Sequence, residues 1–192
     1  MRPLLRMLPN AITVLRFLLI PVLVALLAGH RYGAAAAVFT ISALSDLADG
    51  MIARYCNLRS RFGAIADPLA DKLTMLTLAA VLAMQALLPP WLVAAIVLRD
   101  LAIVTGALAY HFVVGRYDMA PFFLSKLNTA LSFVVLAGVL ASAAGLAVVR
   151  PMLPALFGLL LATLAASGAQ YVWVWGRRAL RARRAARPTA HG

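Results

Sequence analysis

"SDLADGMIARYCNLRSRFGAIADPLADK", residues 45–72, sets Asp46, Asp49, Asp67 and Asp71 into a chain that is otherwise mostly Leu, Ala and Val. All six acidic residues of the chain are Asp, and the two outside this stretch are Asp100 and Asp118. Of 192 residues, 64% are hydrophobic and 12% charged, and the mean hydropathy is +0.93, far above that of an ordinary soluble domain. The composition is that of an integral, multi-pass membrane protein. A carboxylate inside a membrane is costly and marks function by default, so the quoted stretch is where the chemistry is expected.

Taking roughly 20 apolar residues per crossing, the chain divides into six candidate membrane helices at residues 11–29, 34–55, 66–88, 91–114, 127–148 and 152–175. "GHRYG", "LLPP", "GRYDMAP" and "VVRPMLP" supply the breaks. Arg2 and Arg6 precede the first run as in a signal peptide, but that run is long enough to span and others follow, so it reads as an uncleaved helix. The predicted fold is all-α, with residues 1–176 as one membrane domain and 177–192 as a basic tail without fixed structure. Six spans put both termini on one side, with Arg2, Arg6, Arg54, Arg59, Arg61, Arg116, Lys126, Arg177, Arg178, Arg181, Arg183, Arg184 and Arg187. The other side holds Arg31 and Arg150. Both termini are therefore predicted to be cytoplasmic, in a bacterial inner membrane. The net charge of +12 reads as contact with anionic lipid heads and not with nucleic acid. One cysteine, Cys56, excludes an internal disulfide.

Asp46 and Asp49 fall near the cytoplasmic end of the second span, Asp67 and Asp71 near the start of the third. Residues three and four apart share a helix face, so each helix offers two carboxylates on one side, about 4.5 and 6 Å apart along the axis. The short loop makes the helices antiparallel neighbours, and all four acids can converge. On insertion scales such a quartet costs up to roughly 10 kcal/mol. Arg54 and Lys72 are the nearest cations in sequence, and two positive charges do not balance four negative ones. Two divalent ions do, and oxygen-only ligands favour Mg²⁺ or Mn²⁺ over Zn²⁺. Paired ions of this kind stabilise the attacking and leaving oxygens of a displacement at phosphorus. Gly50 and Gly63 let a diphosphate approach the backbone, Ala53 leaves room beside it, and Arg54 can clamp a phosphate oxygen. Asp71 could hold a metal, take a proton from an incoming hydroxyl, or both.

Written out, the pattern is Asp46-x-x-Asp49-Gly50-x-x-Ala53-Arg54, eight residues, Gly63-x-x-x-Asp67-x-x-x-Asp71. It resembles the full signature of the CDP-alcohol phosphotransferase (phosphatidyltransferase) family, and "PNAITVLR", residues 9–16, is similar to that family's lead into its first membrane helix. The resemblance implies an enzyme in which an alcohol attacks the phosphorus of a CDP-linked lipid or alcohol, expels CMP, and requires Mg²⁺ or Mn²⁺. It assigns metal binding to Asp46, Asp49, Asp67 and Asp71, with Asp71 also the candidate catalytic base. Asp49, Gly50, Ala53, Arg54 and Gly63 would line the CDP site, and homodimers are common in such a family.

"PFFLSKLNTAL", residues 121–131, and "LRDLAIV", residues 98–104, resemble CDP-diacylglycerol-dependent cardiolipin synthases, and the second also fits enzymes with a glycerol-phosphate acceptor. Phosphatidylglycerol is thus the expected acceptor and cardiolipin the product, with phosphatidylglycerophosphate synthase as the alternative. Arg99, Arg116 and Lys126 are the candidate cations for an acceptor phosphate. Arg99 can instead be structural, tied to another helix, and a bond to the adjacent Asp100 is not expected on one helix face. Asn128 could touch the acceptor or bond across helices. "YVWVW", residues 171–175, reads as an interfacial aromatic belt, and His111 as a packed side chain. A divalent-cation transporter would spread its acids over several depths and helices. A membrane prenyltransferase would lack the Asp-Gly-x-x-Ala-Arg segment. Both fit the sequence less well.

Overall fold

The computed structural model describes residue 15 and residues 17–56, 63–114 and 123–185, with side chains at 46–56, 63–68, 107, 109–114, 175 and 178–185 left aside. Every regular element among the described residues is helical: α1 (Phe17–Ala28), α2 (Tyr32–Cys56), α3 (Gly63–Met84), α4 (Pro90–Val114), α5 (Phe123–Ala143), a 3₁₀ segment (Ala147–Met152) and α6 (Leu153–Ala185). Each of the six predicted spans overlaps one helix where the chain is described, the fifth offset by four to five residues and the sixth continued ten residues further by α6. Residues 11–14 and 16 of the first lie outside the described residues.

Three tight turns draw one end of the bundle together, and they share one geometry. At the end of α1, Arg31 N–H donates to Leu26 O at 2.8 Å and His30 N–H to Leu27 O at 2.9 Å. At the end of α3, Leu87 N–H donates to Leu82 O at 2.9 Å and Ala86 N–H to Ala83 O at 3.0 Å. At the end of α5, Leu146 N–H donates to Ala141 O at 3.0 Å and Gly145 N–H to Ser142 O at 3.1 Å. Each is a Schellman closure, which satisfies the last helical carbonyls and needs a left-handed residue just past the helix. That residue is His30 (φ 54°), Ala86 (φ 57°) and Gly145 (φ 103°) in turn. Gln85 Nε2 donates to Leu27 O at 2.8 Å and ties the first turn to the second. Gly33, at the start of α2, lies beside Ala144 of the third turn.

Between the helices Leu23, Leu27, Leu78, Leu82, Leu92, Leu136, Leu140 and Leu160 are buried and form one continuous apolar core. α5 is central: it packs on α2, α3 and α6, while α4 packs on α3 and α6. The outer face is also apolar, with Leu18, Ile41, Leu44, Leu98, Leu101, Leu159 and Val172 exposed. A bundle solvated by water would turn charge outward; this one is built for lipid. Among the described residues, Phe123–Ala143 and Ala147–Val174 are long and apolar enough to cross a membrane, and Phe17–Ala28 and Tyr32–Ser45 are shorter apolar helices.

One expectation is corrected. The tail from 177 was predicted to lack fixed structure, yet α6 continues unbroken to Ala185. Ala and Arg are strong helix formers, so an already formed apolar helix extends through them with no new nucleation cost. Residues 186–192 lie outside the described part.

The turns generate a pair of predictions of opposite sign. Ala86→Gly removes the cost of a left-handed Cβ and should stabilise the fold by about 0.5–1 kcal/mol. Gly145→Ala introduces that cost at a wider φ and should destabilise it by about 1–2 kcal/mol. Thermal melting of the detergent-solubilised variants reads both.

Candidate functional site

Away from the three turns, a cavity of about 550 Å³ opens between α2, α3 and α5. α2 contributes Phe39, Ser42 and Ala43; α3 contributes Asp71, Thr74 and Met75; α5 contributes Lys126, Thr129, Ala130, Phe133 and Val134. Phe39 and Phe133 stack across it with ring centroids 4.7 Å apart and planes 21° apart. Thr74 and Thr129 turn their hydroxyls back into their own helices, onto Ala70 O at 2.8 Å and Ser125 O at 3.2 Å. The walls are therefore mostly apolar, with a carboxylate from α3 and an ammonium from α5 set into them.

Helix register relates the lining residues to the aspartate positions of the quoted stretch. Position 46 lies three and four residues beyond Ala43 and Ser42, hence on the same face of α2, and position 49 lies one further turn along. Position 67 stands in the same relation to Asp71 on α3. The two helices thus carry all four aspartate positions on the faces that line the cavity. Asp71 is the one of the four whose side chain is described, and it faces the cavity. Gly50, Ala53 and Arg54 lie on the last turns of α2 and Gly63 on the first residue of α3. Their side chains, and those of Asp46, Asp49 and Asp67, lie outside the described part, as does Arg116 with its whole loop. Among the described residues, no three His, Cys, Asp or Glu side chains gather as a metal site.

The acceptor candidates separate. Lys126 lines the cavity. Arg99 is instead held inside the bundle: Nη2 donates to Ser125 Oγ of α5 and to Ser167 Oγ of α6, each at 2.8 Å. Its Nη1 donates to Asp100 Oδ1 at 3.0 Å. The bond between neighbours 99 and 100 was not expected from the helical wheel. A guanidinium on three methylenes wraps around the helix far enough to close it, which the wheel, built on Cβ directions, does not represent. Asp100 in turn forms an ion pair with Lys72 of α3. Lys72, counted above as a cation near the aspartate quartet, is thus engaged on a different face from Asp71.

Asn128 is buried and accepts from Thr163 Oγ1 of α6 at 3.1 Å through its side-chain oxygen. Of the two roles open to it, the cross-helix bond is the one observed. Ser125 and Ser167 were not singled out by sequence, because a serine in an apolar helix has no mark of its own. Only the arginine on α4, one helix from Ser125 and two from Ser167, gives them a role.

A model of the CDP-alcohol phosphatidyltransferase family matches residues 6–175. A Mycobacterium tuberculosis protein with a provisional cardiolipin synthase name is 41% identical over 101 residues, 52% of this chain and 48% of that one. The human cardiolipin synthase (CMP-forming) is 32% identical over 150 residues, 70% of this chain and 50% of the relative. The rice chloroplastic CDP-diacylglycerol–glycerol-3-phosphate 3-phosphatidyltransferase 1 is 32% identical over 150 residues, 69% and 46% of the two chains. The chain thus spans about half the length of these curated relatives.

Ser167, fully buried, provides a direct check on the Arg99 contacts. Ser167→Val should destabilise the fold by about 1 kcal/mol, because Arg99 loses one of two acceptors for Nη2 in a site water does not reach. The melting temperature of the purified variant measures it.

Proposed function

From the premise that this chain belongs to the CDP-alcohol phosphatidyltransferase family, we propose that it transfers the phosphatidyl group of CDP-diacylglycerol to an alcohol with release of CMP. The proposed acceptor is phosphatidylglycerol and the product cardiolipin, a step of phospholipid biosynthesis. The observation that carries the reading is the cavity between α2, α3 and α5, where Asp71 and Lys126 are set from separate helices into mostly apolar walls. A lipid substrate needs that combination: greasy surface for its chains, and fixed charges where its phosphate reacts.

The donor chemistry suits hard divalent ions. Two pairs of aspartate positions, each on one helix face, offer oxygen ligands alone. Asp46, Asp49, Asp67 and Asp71 would hold two Mg²⁺ or Mn²⁺ ions, which when bound supply charge neutralisation for the diphosphate and the departing CMP. Every other role falls to the protein. Gly50, Ala53 and Gly63 leave space for the CDP moiety, Arg54 binds a diphosphate oxygen, and Asp49 belongs to the same lining. Lys126 binds the acceptor phosphate as a mobile point charge, with Arg116 as a further acceptor contact. Asp71 takes the proton as the acceptor hydroxyl oxygen forms its bond to the phosphatidyl phosphorus. The bond from that phosphorus to the bridging diphosphate oxygen breaks, and its electron pair leaves on CMP. Arg99, bound to Ser125, Ser167 and Asp100, fits an architectural part better than an acceptor ligand.

The proposed topology has six membrane helices and both termini in the cytoplasm. It is supported by the asymmetry of Lys and Arg between the two sides, and by the need of CMP to leave into water on the side where nucleotides are used. Anionic lipids would meet the arginines at the end of α6, where Arg177 lies 4.2 Å over the Trp173 ring. A second reading, transfer to glycerol 3-phosphate, is favoured by the resemblance to the rice enzyme.

Purified protein in vesicles, given CDP-diacylglycerol and either phosphatidylglycerol or glycerol 3-phosphate, should release CMP with the lipid acceptor. Release with glycerol 3-phosphate alone would favour the second reading. Asp67→Asn and Asp71→Asn should each lower kcat by on the order of 10³-fold while the protein still inserts and melts normally. EDTA should silence the enzyme and Mg²⁺ or Mn²⁺ restore it; recovery by Zn²⁺ alone would contradict the oxygen-ligand argument. Lys126→Gln should raise KM for the acceptor by about tenfold and leave KM for CDP-diacylglycerol unmoved.

A further inference from the structure

The two charged residues of the cavity each have a sequence neighbour that is held elsewhere. Asp71 lines the cavity from α3, and Lys72 beside it pairs with Asp100 of α4. Lys126 lines the cavity from α5, and Ser125 beside it accepts from Arg99 of α4 at 2.8 Å. Arg99 and Asp100 are joined at 3.0 Å. A continuous chain of contacts therefore runs Lys72, Asp100, Arg99, Ser125. It starts one residue from the acid and ends one residue from the ammonium, and a branch to Ser167 fastens it to α6.

Adjacent residues of an α-helix point about 100° apart, so fixing the direction of Lys72 fixes that of Asp71, and holding Ser125 holds Lys126. Lipid offers no hydrophobic drive that would select one rotation of an apolar helix over another. Directional, charge-assisted contacts do select one. Arg99 and Asp100 lie inside the bundle, 9% and 19% exposed, and Lys72 reaches them from a more open position, 41% exposed.

We infer that Asp100 is a positioning residue for the transfer: by holding Lys72 and Arg99 together, it sets the rotation of α3 against α5 and so the separation of Asp71 from Lys126. The inference rests on the reading of the cavity as the reaction site. The opposing account is that the trio only neutralises charge inside the fold.

The two are separated by comparing Asp100→Asn, Asp100→Glu and the double variant Lys72→Met with Asp100→Leu. The double variant removes one charge of each sign and so leaves the net charge of the trio unchanged; Arg99 loses its carboxylate, which costs stability, but keeps its bonds to Ser125 and Ser167. CMP release and melting temperature are measured on each full-length protein in vesicles. Misplacement by ~1 Å costs on the order of 100-fold, so Asp100→Asn should lose about that much kcat. The double variant should melt below the wild type yet remain folded at the assay temperature and show the same loss, with KM for CDP-diacylglycerol unchanged. Asp100→Glu should regain part of kcat by restoring the charge. A double variant with wild-type kcat, or one that loses its fold together with its activity, would overturn the inference and leave the trio a structural one. A wild-type protein that releases no CMP with any acceptor would overturn the reaction itself, a result that needs none of the variants.

Discussion

The one charged cluster described inside this apolar bundle is that of Lys72, Asp100 and Arg99. In water, burial of Leu side chains fixes which helix faces meet. In lipid the tails are as apolar as the side chains, and packing shape and polar contacts decide. One carboxylate on α4 meets Lys72 of α3 and the guanidinium of Arg99; that guanidinium reaches α5 and α6 through two serines. Four of the six helices are thereby joined by directional contacts at one level of the bundle. At the far end, three Schellman closures and the Gln85 bond to Leu27 O pull the chain reversals together. The cavity lies between these two sets of contacts, and two of its three walls, α3 and α5, take part in the first.

The sequence displayed much of this in advance, for physical reasons that can be named. Six helices follow from hydropathy and turn residues, since a backbone in lipid has nowhere else to satisfy its hydrogen bonds. The faces carrying Asp46, Asp49, Asp67 and Asp71 follow from helical periodicity, which is insensitive to tertiary detail. What sequence hid was set by side-chain reach and by partners distant along the chain. Arg99 closing on Asp100 depends on a flexible stem that no helical wheel records. Ser125 and Ser167 gain meaning from an arginine 26 and 68 residues away. Asn128 had two roles open to it, and Thr163 across the interface decides between them. The helical tail escaped because its composition was read as charge alone, whereas Ala and Arg propagate a helix that α6 has already nucleated.

The ion pair of Lys72 with Asp100 also alters the electrostatics of the quoted stretch. Counted along the chain, Lys72 and Arg54 were the cations nearest to four aspartates. With Lys72 committed to Asp100, the cationic charge left for the quartet is smaller than the sequence count allowed. The proposed divalent ions would supply countercharge of the kind that Lys72, held by Asp100, gives elsewhere.

The same reasoning bears on the acceptor. Of the two acceptor candidates among the described residues, Lys126 lines the cavity and Arg99 is held within the bundle. A phosphodiester such as phosphatidylglycerol brings one negative charge, which the one ammonium described in this mostly apolar wall would match. Glycerol 3-phosphate brings close to two at neutral pH, strongly hydrated, and would leave part of its charge facing Phe39, Met75, Ala130 and Val134. Against the cations described in the cavity, Lys126 alone, removing a dianion from water is the costlier arrangement. Apolar walls that penalise the small polar acceptor are the ones that favour a lipid, so the lining that raises the cost of one reading lowers that of the other.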